Sequence, residues 1–113
     1  MSDFVVHRLN IKILDNVDAS ISTESDPLNI QSISLYCLQA TWDGFSAVNP
    51  SITLSGTNSL DESFVQIDSF IPVGTTGGRL VNVEKAGYAY IKVSYSCTSG
   101  SGTITVSING KVS

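Results

Sequence analysis

Apolar and polar residues alternate with a period of two along most of this chain, interrupted by short polar, glycine- or proline-bearing stretches. Segment 4–14 (FVVHRLNIKIL) puts Val5, His7, Leu9, Ile11 and Ile13 on one face and Val6, Arg8, Asn10 and Lys12 on the other. That is the pattern of a half-buried strand. DNVD at 15–18 breaks it, ASIST at 19–23 reads as a short second strand, and ESDP at 24–27 as a turn. Segment 28–42 (LNIQSISLYCLQATW) is apolar on both faces. This predicts a central strand, a bulge, or a strand whose outer face meets a partner. Asp43-Gly44 marks a turn or loop. SITLS (51–55), FVQIDSFI (64–71) and RLVNV (79–83) are further strands, separated by polar GTNSLDES (56–63) and glycine-rich PVGTTGG (72–78).

The alternation is strictest in the last third. In 88–95, Ala89, Ile91, Val93 and Tyr95 face one way and Tyr88, Tyr90, Lys92 and Ser94 the other. TSGSG (98–102) follows, then TITVSI (103–108) with Ile104, Val106 and Ile108 inward. The spacing predicts a hairpin over 88–108. Asn109-Gly110 then leads into a short terminal strand or a free tail. Seven to eight short strands, with no amphipathic helix of three turns, predict an all-β fold. The expected architecture is an antiparallel β-sandwich, jelly-roll-like, as a single domain over residues 1–113.

Composition sharpens this picture. Ile, Val and Thr together number 31 of 113 residues, and these side chains suit a pleated surface. Charged residues make up only 14%, and Ser and Thr, 27 together, supply the polarity instead. The net charge of -4 and the scattering of Arg8, Lys12, Arg79, Lys85, Lys92 and Lys111 leave no basic stripe, so neither nucleic acid nor an anionic membrane is an expected partner. The start of the chain has no basic segment leading into an unbroken apolar run, and no run reaches transmembrane length. Synthesis in a host cytoplasm without a signal peptide is expected. Cys37 and Cys97 read as thiols in a reducing compartment, although their spacing alone leaves a disulfide open.

Candidate chemistry is thin. His7 is the sole histidine and has no identifiable nucleophile or carboxylate set around it. Asp43, Asp61, Glu62 and Asp68 sit in turns or at strand ends, where solvated carboxylates are ordinary. Asp15, Asn16, Asp18 and Asp26 are oxygen-rich but lack calcium-loop spacing. The glycines of 72–79 precede a strand, not the helix a phosphate loop needs. No catalytic residue, cofactor or metal site is therefore expected, and the chain reads as a non-enzyme. Tyr36, Trp42, Phe45, Tyr88 and Tyr90 are the candidates for an interface or ligand contact, because exposed aromatics bury large area at low entropic cost.

The stretch GYAYIKVSYSCTSGSGTITVSINGK (87–111) resembles a family of small tailed-phage and prophage virion proteins. In that family an aromatic strand close to YxYIKVxY precedes a TSGxGT turn and a strand ending in NGK or SGK. IQSISLYCLQATW (30–42) and SITLSGTNSLDESFVQID (51–68) are similar to its middle, although GTNS and Phe64 stand where relatives carry SxDG and Trp. The resemblance implies a structural component of a phage-like particle, whether virion, decoration or tail-associated. It also implies a homo-oligomer docking on other virion proteins. The alternative is a carbohydrate- or host-surface-binding sandwich, with Gln66, Asp68 and Asn82 as polar partners for a surface glycan.

Overall fold

In the computed structural model, which describes residues 8–84 and 86–111, the alternating segments form nine strands. They are β1 (Arg8–Asp18), β2 (Thr23–Glu24), β3 (Leu28–Asn29), β4 (Leu35–Val48), β5 (Ser51–Thr57), β6 (Val65–Phe70), β7 (Gly77–Val83), β8 (Tyr90–Ser96) and β9 (Ser99–Lys111). One antiparallel sheet runs β1-β9-β4-β7, and the other β2-β8-β5-β6 with β3 also on β8. β2 and β3 behave as one interrupted edge strand. At the interruption Ser25 makes two bonds with Val93, its amide donating to the Val93 carbonyl and its hydroxyl accepting from the Val93 amide. Counting them once gives eight positions in four pairs: β1 with β9, β2/β3 with β8, β4 with β7, and β5 with β6. This is the order of a jelly roll, a long hairpin rolled up around its tip at residues 58–64.

The core is the set of inward positions of both sheets. Tyr36, Leu38, Ala40 and Trp42 of β4 meet Ile104, Val106 and Ile108 of β9 across the ladder. Ile52 and Leu54 of β5 and Ile91, Val93 and Tyr95 of β8 cover them from the other sheet. Each such aliphatic side chain contributes about 1.5–3 kcal/mol by leaving water. β4 is the central strand its two-sided pattern predicts, with Leu35 and Cys37 half-buried on the outer face and Gln39 and Thr41 exposed there. At the β6–β7 side Arg79 lays its guanidinium over the Phe70 ring, 5.0 Å from the centroid, joining the two sheets.

Three expectations are corrected. β1 does not stop at DNVD; it continues to Asp18 through two register shifts, which turn Leu14 inward and leave Ile11 40% exposed. Of ASIST, only Thr23 joins a strand. The largest correction is the hairpin over 88–108. β8 and β9 lie in opposite sheets, and the chain crosses between them at Cys97–Thr98. TSGSG is not a turn: Ser99, Gly100 and Ser101 pair with Val48, Ala47 and Ser46 of β4. Gly102 follows with φ near +100°, its backbone pressed on the Asp43–Gly44 peptide. Asn109 and Gly110 continue β9 as a paired terminal strand. Both cysteines are free thiols. Cys37 pairs with Asn109 and Cys97 lies beyond the Val48–Ser99 end of the same ladder, about 30 Å or more along it.

Candidate functional site

The five aromatic candidates separate into two groups. Tyr36, Trp42 and Phe45 are buried inside the single chain, at 2%, 5% and 4% exposure, so they offer no open platform. The reason lies in β4, whose register shift between Asp43 and Ser46 keeps both Trp42 and Phe45 turned inward around the Asp43-Gly44 corner. Trp42 packs on Phe45, and Phe45 meets the edge of Tyr95. The same corner clasps the glycine-rich loop: Trp42 Nε1 donates to the Val73 carbonyl, the Phe45 amide to the Thr75 carbonyl, and Thr76 Oγ1 to the Asp43 carboxylate. Gly77 lies directly under the indole, where a Cβ would come within 3.0 Å of Nε1.

Tyr88 and Tyr90 are half-buried and do not share a face. Tyr90 begins β8 on its outward side, opposite Asn29 and Thr57, and its hydroxyl accepts from Gln31 Nε2 at 3.4 Å. On the same face Lys92 sits 4.5 Å from the Phe64 ring centroid and 2.9 Å from Glu24. Tyr88 precedes the strand and bends the other way. Its hydroxyl shares a 2.8 Å hydrogen bond with that of Tyr36, and its ring edge rests on Gly56. Burial, reinforced by the Tyr88 hydroxyl, pushes the Tyr36 phenol far above its ordinary value and keeps it neutral. Tyr95 is raised too, by burial first and by the neighbouring Cys97 thiol second, and its hydroxyl donates to the Ala19 carbonyl.

Tyr88 stands beside a cleft of ≈ 320 Å³ that also takes in Gly56, Asn58, Glu62, Gln66 and Ile67. A second hollow of ≈ 370 Å³, on Gln31, Gly87 and Ala89, again includes Asn58 and Tyr88. The arm that carries Asn58 and Glu62 is braced internally. The Thr57 hydroxyl donates to the Ser59 carbonyl and accepts from the Ser59 amide, and the Glu62 amide donates to the Ser59 carbonyl. Of these residues Tyr88, Gln66 and Glu62 stand out in the sequence, the last only as one of several solvated carboxylates. GTNSLDES reads as an ordinary polar turn until the roll of the chain sets it against Tyr88.

The remaining candidates are dispersed. His7 lies outside the described residues. Gln66 joins the cleft, while Asp68 accepts from the Ser69 amide and Asn82 projects from the outer face of the other sheet. In the oxygen-rich segment Asp18 caps the Ser20 amide, which holds its carboxyl below the usual value, and Asn16 donates its amide to Thr105 Oγ1. Among the described residues no three His, Cys, Asp or Glu side chains come together as a metal site.

No family model matches this chain, and no curated protein matches it significantly. Solved structures do share its fold. A protein derived from the SPBc2 prophage, YomS, superimposes with a TM-score of 0.59 at 13% identity over 97% of each chain. A structure of Bacillus endospore appendages, a family of disulfide-linked pili, gives 0.53 at 11% identity over 100% of this chain and 96% of that one. Naturally occurring empty particles of cowpea mosaic virus give 0.50 at 8% identity over 100% and 88%. At such identities the likeness is one of fold.

Proposed function

We propose that this chain is a non-enzymatic structural component of a phage-like particle, a rigid β module that self-associates and docks on other virion proteins. The observation that carries the proposal is the free edge at β7. Among the described residues β7 pairs only with β4, in an unbroken register of seven pairs without a bulge or proline. β1, at the opposite edge of that sheet, is interrupted by two register shifts and carries Lys12 and Asp15, devices that discourage edge-to-edge pairing. Next to the free edge Ile71, Val73 and Leu80 are 64%, 72% and 61% exposed. An unbroken free edge flanked by apolar side chains is a surface that a second chain can cover. The resemblance of residues 87–111 to phage virion proteins and the fold shared with a prophage-derived protein, a pilus structure and a viral particle support the same reading.

The test is solution mass by light scattering over a wide concentration range. The wild-type chain is expected to associate, and the Val73→Lys/Leu80→Lys double variant to remain monomeric with an unchanged melting temperature. A wild-type chain that stays monomeric at millimolar concentration overturns the self-association, because a seam of about 1,000 Å² or more holds together well below that.

A further inference from the structure

We infer that the cleft beside Tyr88 is a binding site for a neutral saccharide. The ring is held before any ligand arrives: its hydroxyl is tied to Tyr36, and its edge is seated on Gly56, where a Cβ would come within 2.9 Å. A fixed aromatic ring offers an apolar surface to the C–H face of a sugar while leaving the sugar hydroxyls free. Those hydroxyls need both donors and acceptors. Asn58 and Gln66 supply amide groups of both kinds, and the Glu62 carboxylate supplies acceptors. The brace between Thr57, Ser59 and Glu62 reduces the ordering cost of the arm that presents them.

The lining also discriminates between ligand classes. No Lys or Arg lines either hollow among the described residues, so a phosphate, a sulfate or an acidic sugar finds no counter-charge. Among the described residues Glu62 is the sole carboxylate there, too little to hold a cation. The second hollow shares Tyr88 and Asn58 with the first, so the two adjoin at these residues. Each falls at the small end of the roughly 300–1,000 Å³ range of ligand sites. An oligosaccharide with successive units in the two hollows fits this arrangement better than a single compact ligand. The site lies at the Tyr36 end of the sandwich, away from the Val73 loop that Trp42 holds.

The experiment is a titration of the full chain followed by backbone amide NMR, with cellotetraose, maltotetraose, chitotetraose and, as an acidic comparison, sialyllactose. At least one neutral tetrasaccharide is expected to give saturable shifts at Gly56, Asn58, Gln66 and Gly87, and sialyllactose none. Gln66→Ala and Glu62→Ala, both on exposed positions, are expected to weaken that binding about tenfold or more. Absence of saturable shifts with all three neutral probes at about 10 mM overturns the assignment. So does binding that both alanine variants leave unchanged, or shifts confined to another face. Performing the titration on the Val73→Lys/Leu80→Lys variant as well separates this outcome from any failure of the assembly proposal.

Discussion

Replacing Gly102 with alanine tests the central topological feature of this fold, the passage of residues 98–102 along β4. Gly102 has φ near +100°, a region that L side chains rarely adopt, and holding alanine there costs about 1–3 kcal/mol. The new Cβ would also stand 2.5 Å from the Gly44 carbonyl oxygen and 2.7 Å from that of Asp43. Both obstacles are backbone, and the corner they belong to is anchored by the burial of Trp42 and Phe45. Relief of the overlap therefore requires shifting packed structure, worth a further ~1–3 kcal/mol. The sum, about 2–6 kcal/mol, is a large part of the 5–15 kcal/mol typical of a whole domain. At roughly 4 °C per kcal/mol, thermal unfolding followed by circular dichroism should show a drop of about 8–24 °C. Gly87→Ala is the control: nothing lies within 4 Å of its added Cβ, and the change should stay within about 0.5 kcal/mol. A Gly102→Ala melting temperature within about 4 °C of wild type would refute the reasoning. It is the result a freely exposed TSGSG hairpin turn would give.

Further outcomes follow from the same packing. Tyr88→Phe should leave the buried Tyr36 hydroxyl without its partner and cost about 1–3 kcal/mol, while adding Tyr36→Phe should cost less than the sum of the two single changes in urea unfolding. The raised phenols of Tyr36 and Tyr95 bind protons more tightly folded than unfolded. Their contribution is thus complete below the ordinary tyrosine value near pH 10 and is lost as pH rises above it. Stability measured by denaturant titration should fall there by at most about 1.4 kcal/mol per pH unit for each tyrosine, and a flat profile between about pH 9 and 12 would contradict their burial. Because both cysteines are free, alkylation under denaturing conditions without reductant should modify Cys37 and Cys97 fully by mass spectrometry, and reductant should leave the melting temperature unchanged.

The class of the fold and the inward face of β5, β8 and β9 were already legible in the residue pattern. Period-two alternation is a local property, and in β5, β8 and β9 the residues it sets on one face are those the core buries, among them Ile52, Ile91, Ile104, Val106 and Ile108, whereas β4, apolar on both faces, left its inward side open. Alternation does not say which sheet a strand enters. With β2 and β3 taken as one strand, every connection here except the β5–β6 hairpin crosses between sheets. So β8 and β9, adjacent and equally regular, part company while β1 and β9 pair from opposite ends of the chain. The glycines of TSGSG fit a turn and a close crossing equally well; only the Asp43–Gly44 corner pressing on Gly102 selects the second. The aromatic candidates divide for the same reason. Their residue types mark them as large contact surfaces, but the irregularity in β4 sends Trp42 and Phe45 into the core. The roll of the chain sets Tyr88 over Gly56, beside a polar arm far from it in sequence. Such long-range placement depends on how the two sheets close on each other, which no local pattern encodes.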